Sequence, residues 1–168
     1  MASHPLPSGV TNAELVRWAF DRLNERDLES LKQFWNADTV ERFPTGTVRG
    51  TDAIAEYFAE AFAALPDWHM EVVALVQQDD DVFVHWQLTG THSGRFQGLA
   101  ATGRHVTLDG MDHFVVRDGR LISNFVVFDQ MQFARAVGML PADGTRGDRA
   151  AKSAFNARTK LAARLRRI

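Results

Sequence analysis

The sequence predicts an α+β domain in which three helices pack on one face of a strongly curved sheet, mixed or antiparallel, around a pocket. Up to Pro66, apolar residues recur at the spacing of an α-helix. After Pro66 the period changes to two, which is typical of strands with one buried face. Helices followed by an antiparallel meander indicate an α+β fold. A helical layer over a curved sheet can enclose a pocket.

The first helix is predicted over residues 12–26. Thr11 and Glu14 form a Thr-x-x-Glu capping box, which satisfies the free backbone amides at a helix start. Asp27 can cap a second, shorter helix. A brief strand over 39–43 follows and is expected to end at the next residue, a proline.

The third helix is expected to begin at Thr51 or Asp52 and to end at Pro66. The alternation then predicts four strands, over residues 69–77, 82–92, 105–116 and 121–129. The last two are joined by an Asp118-Gly119 turn, which is a strong hairpin signal. A glycine-rich loop over 93–104 and a short helix over 130–138 complete this part of the chain.

The 168 residues divide into a flexible lead-in over 1–10, one domain over 11–140, and a basic C-terminal helical extension over 141–168. The net charge of −2 is unevenly distributed, because Thr145–Ile168 carries +7 and the remainder −9. Apolar residues of the extension, Ile168 among them, fall on one helical stripe. Basic residues, Arg167 among them, flank this stripe. We expect this helix to dock on protein, in the same chain or across a homodimer, rather than on a membrane or a nucleic acid; disorder is a further alternative.

Several site classes find no support in the sequence. The absence of cysteine excludes disulfides, thiol nucleophiles and cysteine-based zinc sites. No histidine spacing suggests a metal, and no phosphate loop, nucleophile elbow or dinucleotide fingerprint is present, so we expect neither metal nor cofactor. The start lacks the features of a secretory signal, and no apolar run is long enough to span a membrane, so a cytoplasmic location is expected.

Alternate residues form one largely apolar face in each of the last three strands, from Val82 to His92, from Val106 to Val116 and from Leu121 through Phe125 to Asp129. Three ionisable residues interrupt these faces: His92, Asp112 and Asp129. Burial disfavours the charged form of a carboxyl, and the resulting higher pKa makes it an effective acid or base near neutral pH. We therefore expect the three side chains to line one pocket as catalytic residues. Structural alternatives remain open, since Asp129 could cap a helix through Asp129-x-x-Gln132, Asp112 could pair with an arginine or a backbone amide, and His92 could be a structural histidine.

Aromatic and amide side chains are the candidates for substrate binding. They are Trp18, Trp35, Phe58, Trp86, Asn124 and Phe125, with Phe34 as a further aromatic. For each aromatic residue, packing in the core is the alternative.

The stretch Gly90-Thr-His-Ser-Gly-Arg-Phe96, followed by Gly98-Leu99 and Thr102-Gly103-Arg104, is similar to a motif of the SnoaL-like polyketide cyclases, a family of the NTF2-like superfamily. Gly110-Met-Asp-His-Phe114 and Asp129-Gln130 extend the resemblance over about 11–140. It implies an NTF2-like cone, in which three helices close a curved mixed sheet around a cavity, often dimeric through the outer face of the sheet.

The resemblance also implies a function. An aspartate on the last strand of such cyclases is the general acid/base for an intramolecular aldol ring closure on a hydrophobic carbonyl compound, without metal or cofactor, and the matching residue is Asp129. The chain departs from the family where Ser123-Asn124-Phe125 replaces a common Glu-His-Trp and Ala100-Ala101 replaces Pro-Pro. Alternatives are an epoxide-hydrolase-like or isomerase-like enzyme that uses the same aspartates, or a non-catalytic small-molecule-binding or dimerisation module.

Overall fold

The computed structural model describes residues 4–165, so the first three residues of the lead-in and residues 166–168 of the predicted C-terminal extension, Arg167 and Ile168 among them, lie outside the described residues. The helices are α1 (Asn12–Glu25), α2 (Leu28–Leu31), α3 (Thr51–Ala64), α4 (Gln130–Ala136) and α5 (Arg146–Leu165). The strands are β1 (Val40–Phe43), β2 (Gly46–Arg49), β3 (His69–Gln78), β4 (Asp81–Thr91), β5 (His105–Arg117) and β6 (Arg120–Phe128).

The predicted helix starts are confirmed. The side chain of Thr11 accepts a hydrogen bond from the backbone of Glu14, whose carboxylate accepts one from the Thr11 amide. The side chain of Asp27 accepts one from the backbone N–H of Ser30 at 3.1 Å. Hydrogen bonds from Ser30 and His4 lower the pKa of Asp27 to about 2.

The six strands form one mixed sheet in the order β2-β1-β6-β5-β4-β3. All neighbouring strands are antiparallel except β1 and β6, which run parallel. Strand β2 was not predicted, because Pro44 and Gly46 indicate the end of a strand; here they belong to the turn of a β1–β2 hairpin. This hairpin places β1 beside the last strand, where it contributes to the inner face of the sheet.

Strand β6 contains a bulge that reverses the predicted orientation of its side chains. The register pairs Val115 with Ser123 but Val116 with Leu121, so Ile122 is an extra residue in β6. From that point the even-numbered residues face inward, and Asn124 and Val126 are buried. The alternation that we predicted for this strand, from Leu121 through Phe125 to Asp129 on one inner face, is therefore wrong beyond the bulge.

The core lies between the helices and the inner face of the sheet. Helix α1 packs on β3, β4 and β5, and α3 contacts β2. Phe20 of α1 meets Phe114 of β5 edge to face, with ring centroids 6.1 Å apart. The inward residues predicted for β4 and β5, from Val82 to His92 and from Val106 to Val116, are buried.

Among the described residues, the hydrogen bonds and ion pairs between helix α5 and the preceding chain lie in its first two turns. Asp148 is buried and accepts a hydrogen bond from the amide of Gly144, and Lys152 forms ion pairs with Asp148 and Asp143. Residues 149–165 are all exposed. Docking of this helix on its own chain is therefore not seen in the described residues, and docking across a homodimer stays a prediction. None of the described helices is long and apolar enough to cross a membrane.

Candidate active site

A cavity of about 310 Å³ lies between α1, α3 and α4, the inner face of the sheet and the loop after β4. Eight aromatic side chains line it: Phe43, Tyr57, Phe58, Trp68, Trp86, Phe96, Phe128 and Phe133. Among the described residues that line it, Glu41 and Asp112 are the only charged types, and none is a lysine, arginine or histidine. The cavity is therefore apolar except for two carboxyl groups and a few neutral polar groups.

Asp112 lies on β5 and is 7% exposed. Both of its oxygens accept hydrogen bonds from neutral donors: Oδ1 from the indole Nε1 of Trp86 at 2.9 Å, and Oδ2 from the amide Nδ2 of Asn124 at 3.3 Å. The three residues belong to adjacent strands, and their side chains meet because all three point inward. Asp112 is thus held in one orientation at the cavity wall.

A second carboxyl group, Glu41, lies beside this cluster. Glu41 is 2% exposed on β1 and pairs in register with Asn124 of the parallel strand β6. The same Nδ2 atom of Asn124 lies 3.5 Å from Oε2 of Glu41. One amide group therefore lies within hydrogen-bond distance of both buried carboxyls.

Burial shifts both carboxyls toward their neutral forms. It raises the pKa of Asp112 to about 7, although the hydrogen bonds from Trp86 and Asn124 act in the opposite direction. Burial, together with the negative charge of Asp112, raises the pKa of Glu41 to about 8. Near neutral pH, Glu41 is mostly protonated and Asp112 is close to the midpoint of its titration, the condition that suits proton transfer.

Gly110 makes room for the Trp86 side chain. A Cβ atom at this position would lie 2.1 Å from the Trp86 ring, so no larger residue fits without movement. Gly110 is also the direct cross-strand partner of Trp86. The glycine therefore allows the indole to lie across β5 and reach Asp112.

The structure does not bring Asp129 into the cavity. Asp129 is exposed and caps α4, its Oδ1 accepting hydrogen bonds from the amides of Met131 at 2.8 Å and Gln132 at 3.0 Å. Its neighbours Phe128 and Gln130 line the cavity, whereas Asp129 does not. The prediction that Asp129 and Asp112 share one pocket is therefore wrong, because the bulge in β6 reverses which residues face inward.

His92 is also outside the cavity lining. It is fully buried, with Nδ1 3.1 Å from Oγ1 of Thr102, and its backbone groups bond to residues 102–104. Its Nε2 is buried with no hydrogen-bond partner among the described residues. This histidine holds the two ends of the loop over 93–104 together, and the structure does not place it near Asp112.

The candidate binding residues divide into two groups. Phe58, Trp86 and Asn124 line the cavity. Trp35 lies behind the wall and stacks on Phe58 with centroids 5.9 Å apart, Phe34 is buried in the core, and Trp18 is half-buried outside the cavity. Phe125 is 46% exposed on the outer face, where the guanidinium of Arg42 lies 5.1 Å from its ring centroid.

Sequence reasoning missed Glu41. The signal was the alternation of Thr39, Glu41 and Phe43, of which the first two are buried and the third half-buried. A four-residue strand followed by a proline gave too short a pattern to separate an inner face from an outer one.

Among the described residues, one group of side chains of the types that bind metal ions lies close together, outside the cavity lining. It consists of His4, Glu25 and Asp27. The carboxylate of Glu25 already pairs with both terminal nitrogens of Arg22, and Asp27 with Ser30. These contacts account for the cluster without a metal ion.

A family model described as SnoaL-like polyketide cyclase matches residues 13–137. Among solved structures, AclR from Streptomyces galilaeus, named as a candidate hydroxylase, is 25% identical with a TM-score of 0.69, covering 92% of this chain and 93% of its own. IdmH from Streptomyces antibioticus, named as a candidate polyketide cyclase, is 26% identical with a TM-score of 0.65, covering 73% and 95%. A SnoaL-like protein from Jannaschia sp. CCS1 is 21% identical with a TM-score of 0.71, covering 84% and 99%, and supports the fold alone. A search of curated protein sequences gives no match.

Proposed function

Because this chain belongs to the SnoaL-like polyketide cyclase family, we propose that it is a cofactor-independent cyclase-type enzyme that acts on a hydrophobic carbonyl compound by aspartate acid/base chemistry. The observation that carries the proposal is Asp112, a buried carboxyl on the wall of an apolar cavity, held by two neutral donors. A carboxyl with a pKa near neutrality can both accept and return a proton.

Asp112 is the proposed acid/base, in place of Asp129. In its ionised form it removes a proton from the carbon next to a carbonyl group, and the C–H electrons form an enolate. The enolate carbon attacks a second carbonyl of the same molecule, which forms the new C–C bond and leaves an alkoxide. The proton held on Asp112 then passes to the alkoxide, so the ring closure is balanced and Asp112 returns to its starting form.

The shape and polarity of the cavity support a neutral, hydrophobic substrate. Its volume of about 310 Å³ lies at the lower end of the range for small-molecule sites. Phe43 and Tyr57 stack with ring centroids 4.0 Å apart, so the wall presents flat aromatic surface. None of the described residues of the lining is a basic residue that could pair with a carboxylate or phosphate group of a substrate.

Asp129 has a positioning role in this proposal. Its carboxylate caps α4, and Gln130, Phe133 and Ala134 of that helix line the cavity. Loss of the cap would disturb the wall without removing the proton acceptor.

The experiment is turnover of candidate polyketide methyl esters by the wild type and by Asp112→Asn, Asp129→Asn and Asp109→Asn. Asp109 is an exposed aspartate on β5 and serves as the matched control. We expect Asp112→Asn to lose at least about a hundredfold in kcat, within the range for a general base, and the other two variants to stay within a few fold. Wild-type rates in Asp112→Asn would overturn the assignment.

One observation favours a second reaction: two carboxyl groups lie within hydrogen-bond distance of one amide, so that one can deprotonate a water molecule while the other protonates a leaving oxygen. Incorporation of labelled oxygen from water into the product would indicate such an epoxide-hydrolase-like reaction. Tight binding of a ligand without turnover, unchanged in Asp112→Asn, would instead indicate a binding module.

We also propose a homodimer formed through the outer face of the sheet. A row of side chains in register crosses four strands there: the exposed apolar residues Val76, Phe83 and Phe125, and between the last two His113, which stacks on Phe83. A contiguous apolar patch of this kind is typical of a protein interface. Sedimentation of the wild type and of Phe83→Asp would test it, with a monomeric wild type as the contrary outcome.

A further inference from the structure

We propose that Glu41 is a second catalytic residue, which in its protonated form donates a hydrogen bond to the carbonyl oxygen of the substrate while Asp112 removes the adjacent proton. This inference rests on the proposed function and adds a residue that neither the motifs nor the resemblance indicated. It divides the acid and base roles between two strands that are far apart in the sequence, β1 and β5.

Glu41 and Asp112 share one location. Both line the same cavity, and both lie within hydrogen-bond distance of the single Nδ2 atom of Asn124. When a substrate places the C–H next to its carbonyl group at Asp112, the carbonyl group itself therefore lies beside Glu41. The two groups are close enough to act on adjacent atoms of one small molecule.

The hydrogen bonds of Asp112 and Glu41 differ, and the difference indicates which of the two carboxyls carries the proton. Asp112 accepts from Trp86 at 2.9 Å and from Asn124 at 3.3 Å, and both donors favour the carboxylate form. Glu41 has the longer contact with Asn124, 3.5 Å, and a hydrogen bond from Trp35 that has the smallest effect on its pKa, so its carboxylate form is favoured less. When the pair holds one proton, the better-solvated anion is Asp112 and the proton belongs on Glu41.

The surroundings of Glu41 also favour its neutral form. Its neighbour Arg42 points to the outer face, where it lies over Phe125. The titratable group that influences the pKa of Glu41 from a packed element is Asp112 on β5. Tyr57 on α3 is neutral near pH 7, because burial, and to a smaller extent the charges of Glu41 and other carboxyls, raises its pKa to about 12. An acid without a cation beside it retains its proton near neutral pH, and a neutral carboxyl is a hydrogen-bond donor.

The proposed step is balanced. Asp112 takes the α-proton, and the electrons of the broken C–H bond move into the carbonyl as an enolate. The O–H of Glu41 donates to the oxygen on which negative charge develops, and this donation lowers the energy of the transition state. When the enolate attacks the second carbonyl, the first carbonyl re-forms, and Glu41 keeps or regains its proton.

The test is exchange of α-protons of 2-tetralone in deuterated water, followed by NMR, because this readout reports proton removal without the natural substrate. The proteins are the wild type, Asp112→Asn, Glu41→Gln, Glu41→Met and the control Glu71→Gln, an exposed glutamate on β3. We expect a loss of about a hundredfold in Glu41→Met and a smaller loss in Glu41→Gln, whose amide still donates a hydrogen bond. Glu71→Gln should match the wild type.

The pH profile separates a catalytic role from a structural one. Wild-type exchange should fall above about pH 8, since the pKa of Glu41 is about 8, and Glu41→Gln should lose this decline while it keeps the decline at low pH from Asp112. If a thermal melt shows that Glu41→Met is unfolded, the exchange rate and the pH profile of Glu41→Gln decide whether Glu41 is catalytic. Exchange that depends on Asp112 but is unchanged in both Glu41 variants overturns this inference alone, whereas no exchange by the wild type contradicts the proposed function as well.

Discussion

The indole nitrogen of Trp86 lies 2.9 Å from Oδ1 of Asp112, in a buried contact between adjacent strands. This donor lowers the pKa of Asp112 against the larger effect of burial. In Trp86→Phe we therefore expect the pKa of Asp112 to rise, so that the low-pH limb of the activity profile moves upward and the rate at neutral pH falls about tenfold. Trp18→Phe, which changes a half-buried tryptophan outside the cavity, is the control; identical profiles for the two variants would contradict this role of Trp86.

Gly110→Ala should displace Trp86. The added Cβ would lie 2.1 Å from the indole ring, and relief of such a collision requires movement of the ring or of β5. We expect a loss of about 1–3 kcal/mol in the free energy of unfolding and a change in tryptophan fluorescence that Asp109→Ala does not show. Wild-type stability and fluorescence in Gly110→Ala would show that the ring has another way to fit.

The two buried carboxyls should make the protein less stable at alkaline pH. Because the pKa of each is higher in the folded state than in the unfolded state, the folded protein binds more protons between about pH 4 and pH 8. The free energy of unfolding therefore falls as the pH rises through this window. We expect Asp112→Asn and Glu41→Gln to be more stable than the wild type at pH 8, by about 1–3 kcal/mol each, and this difference to shrink toward pH 4.

Chemical denaturation at pH 4.5 and 8 measures that difference. Asp109→Asn controls for a change of net charge at the surface. A gain in stability at pH 4.5 that equals the gain at pH 8 would mean that ionisation of the buried pair is not the cause.

Substitutions of Asp129 can separate helix capping from acid/base chemistry. Asparagine caps helices about as well as aspartate but cannot take up a proton at neutral pH, whereas alanine does neither. We expect Asp129→Asn to retain stability and activity, and Asp129→Ala to lose about 1 kcal/mol of stability with a moderate loss of activity. A large loss of activity in a stable Asp129→Asn would return the acid/base role to this residue.

Deletion of residues 145–168 tests the role of the basic helix. Since the described residues of α5 beyond its second turn are all exposed, the deletion should change the stability of a dilute monomer little. If the helix docks across a dimer, the shortened protein should dissociate at a concentration at least about tenfold higher, which corresponds to 1.4 kcal/mol. Analytical ultracentrifugation measures this, and equal dissociation constants would exclude docking between copies.

Much of the fold could be predicted from the sequence, because local signals determine it. The capping box at Thr11, the change of period after Pro66 and the Asp118-Gly119 turn each report on a few neighbouring residues. The resemblance to SnoaL-like cyclases is confirmed by a family match over residues 13–137.

The site was harder to predict, because it depends on pairings between distant strands. The bulge at Ile122 moves Asn124 to the inner face and Phe125 to the outer one, and it is a register shift that the β6 sequence alone does not reveal. The inward position of Glu41 depends on a four-residue strand that is buried only through its parallel pairing with β6. Asp112 was identified correctly as an inward carboxyl because β5 keeps an uninterrupted alternation along its inner face.

The parallel pairing of β1 with β6 joins residues 83 positions apart, Glu41 and Asn124. The meander of β3 to β6 forms by closing two tight turns and the loop between β4 and β5, but it would hold Asp112 with no second carboxyl. Only when the first hairpin joins the last strand, a contact with a large loop-closure entropy, is the proposed acid/base pair complete. Recovery of activity during refolding would therefore report the closure of the whole chain, because a chain without residues 1–50 lacks both Glu41 and helix α1, which packs on β3, β4 and β5.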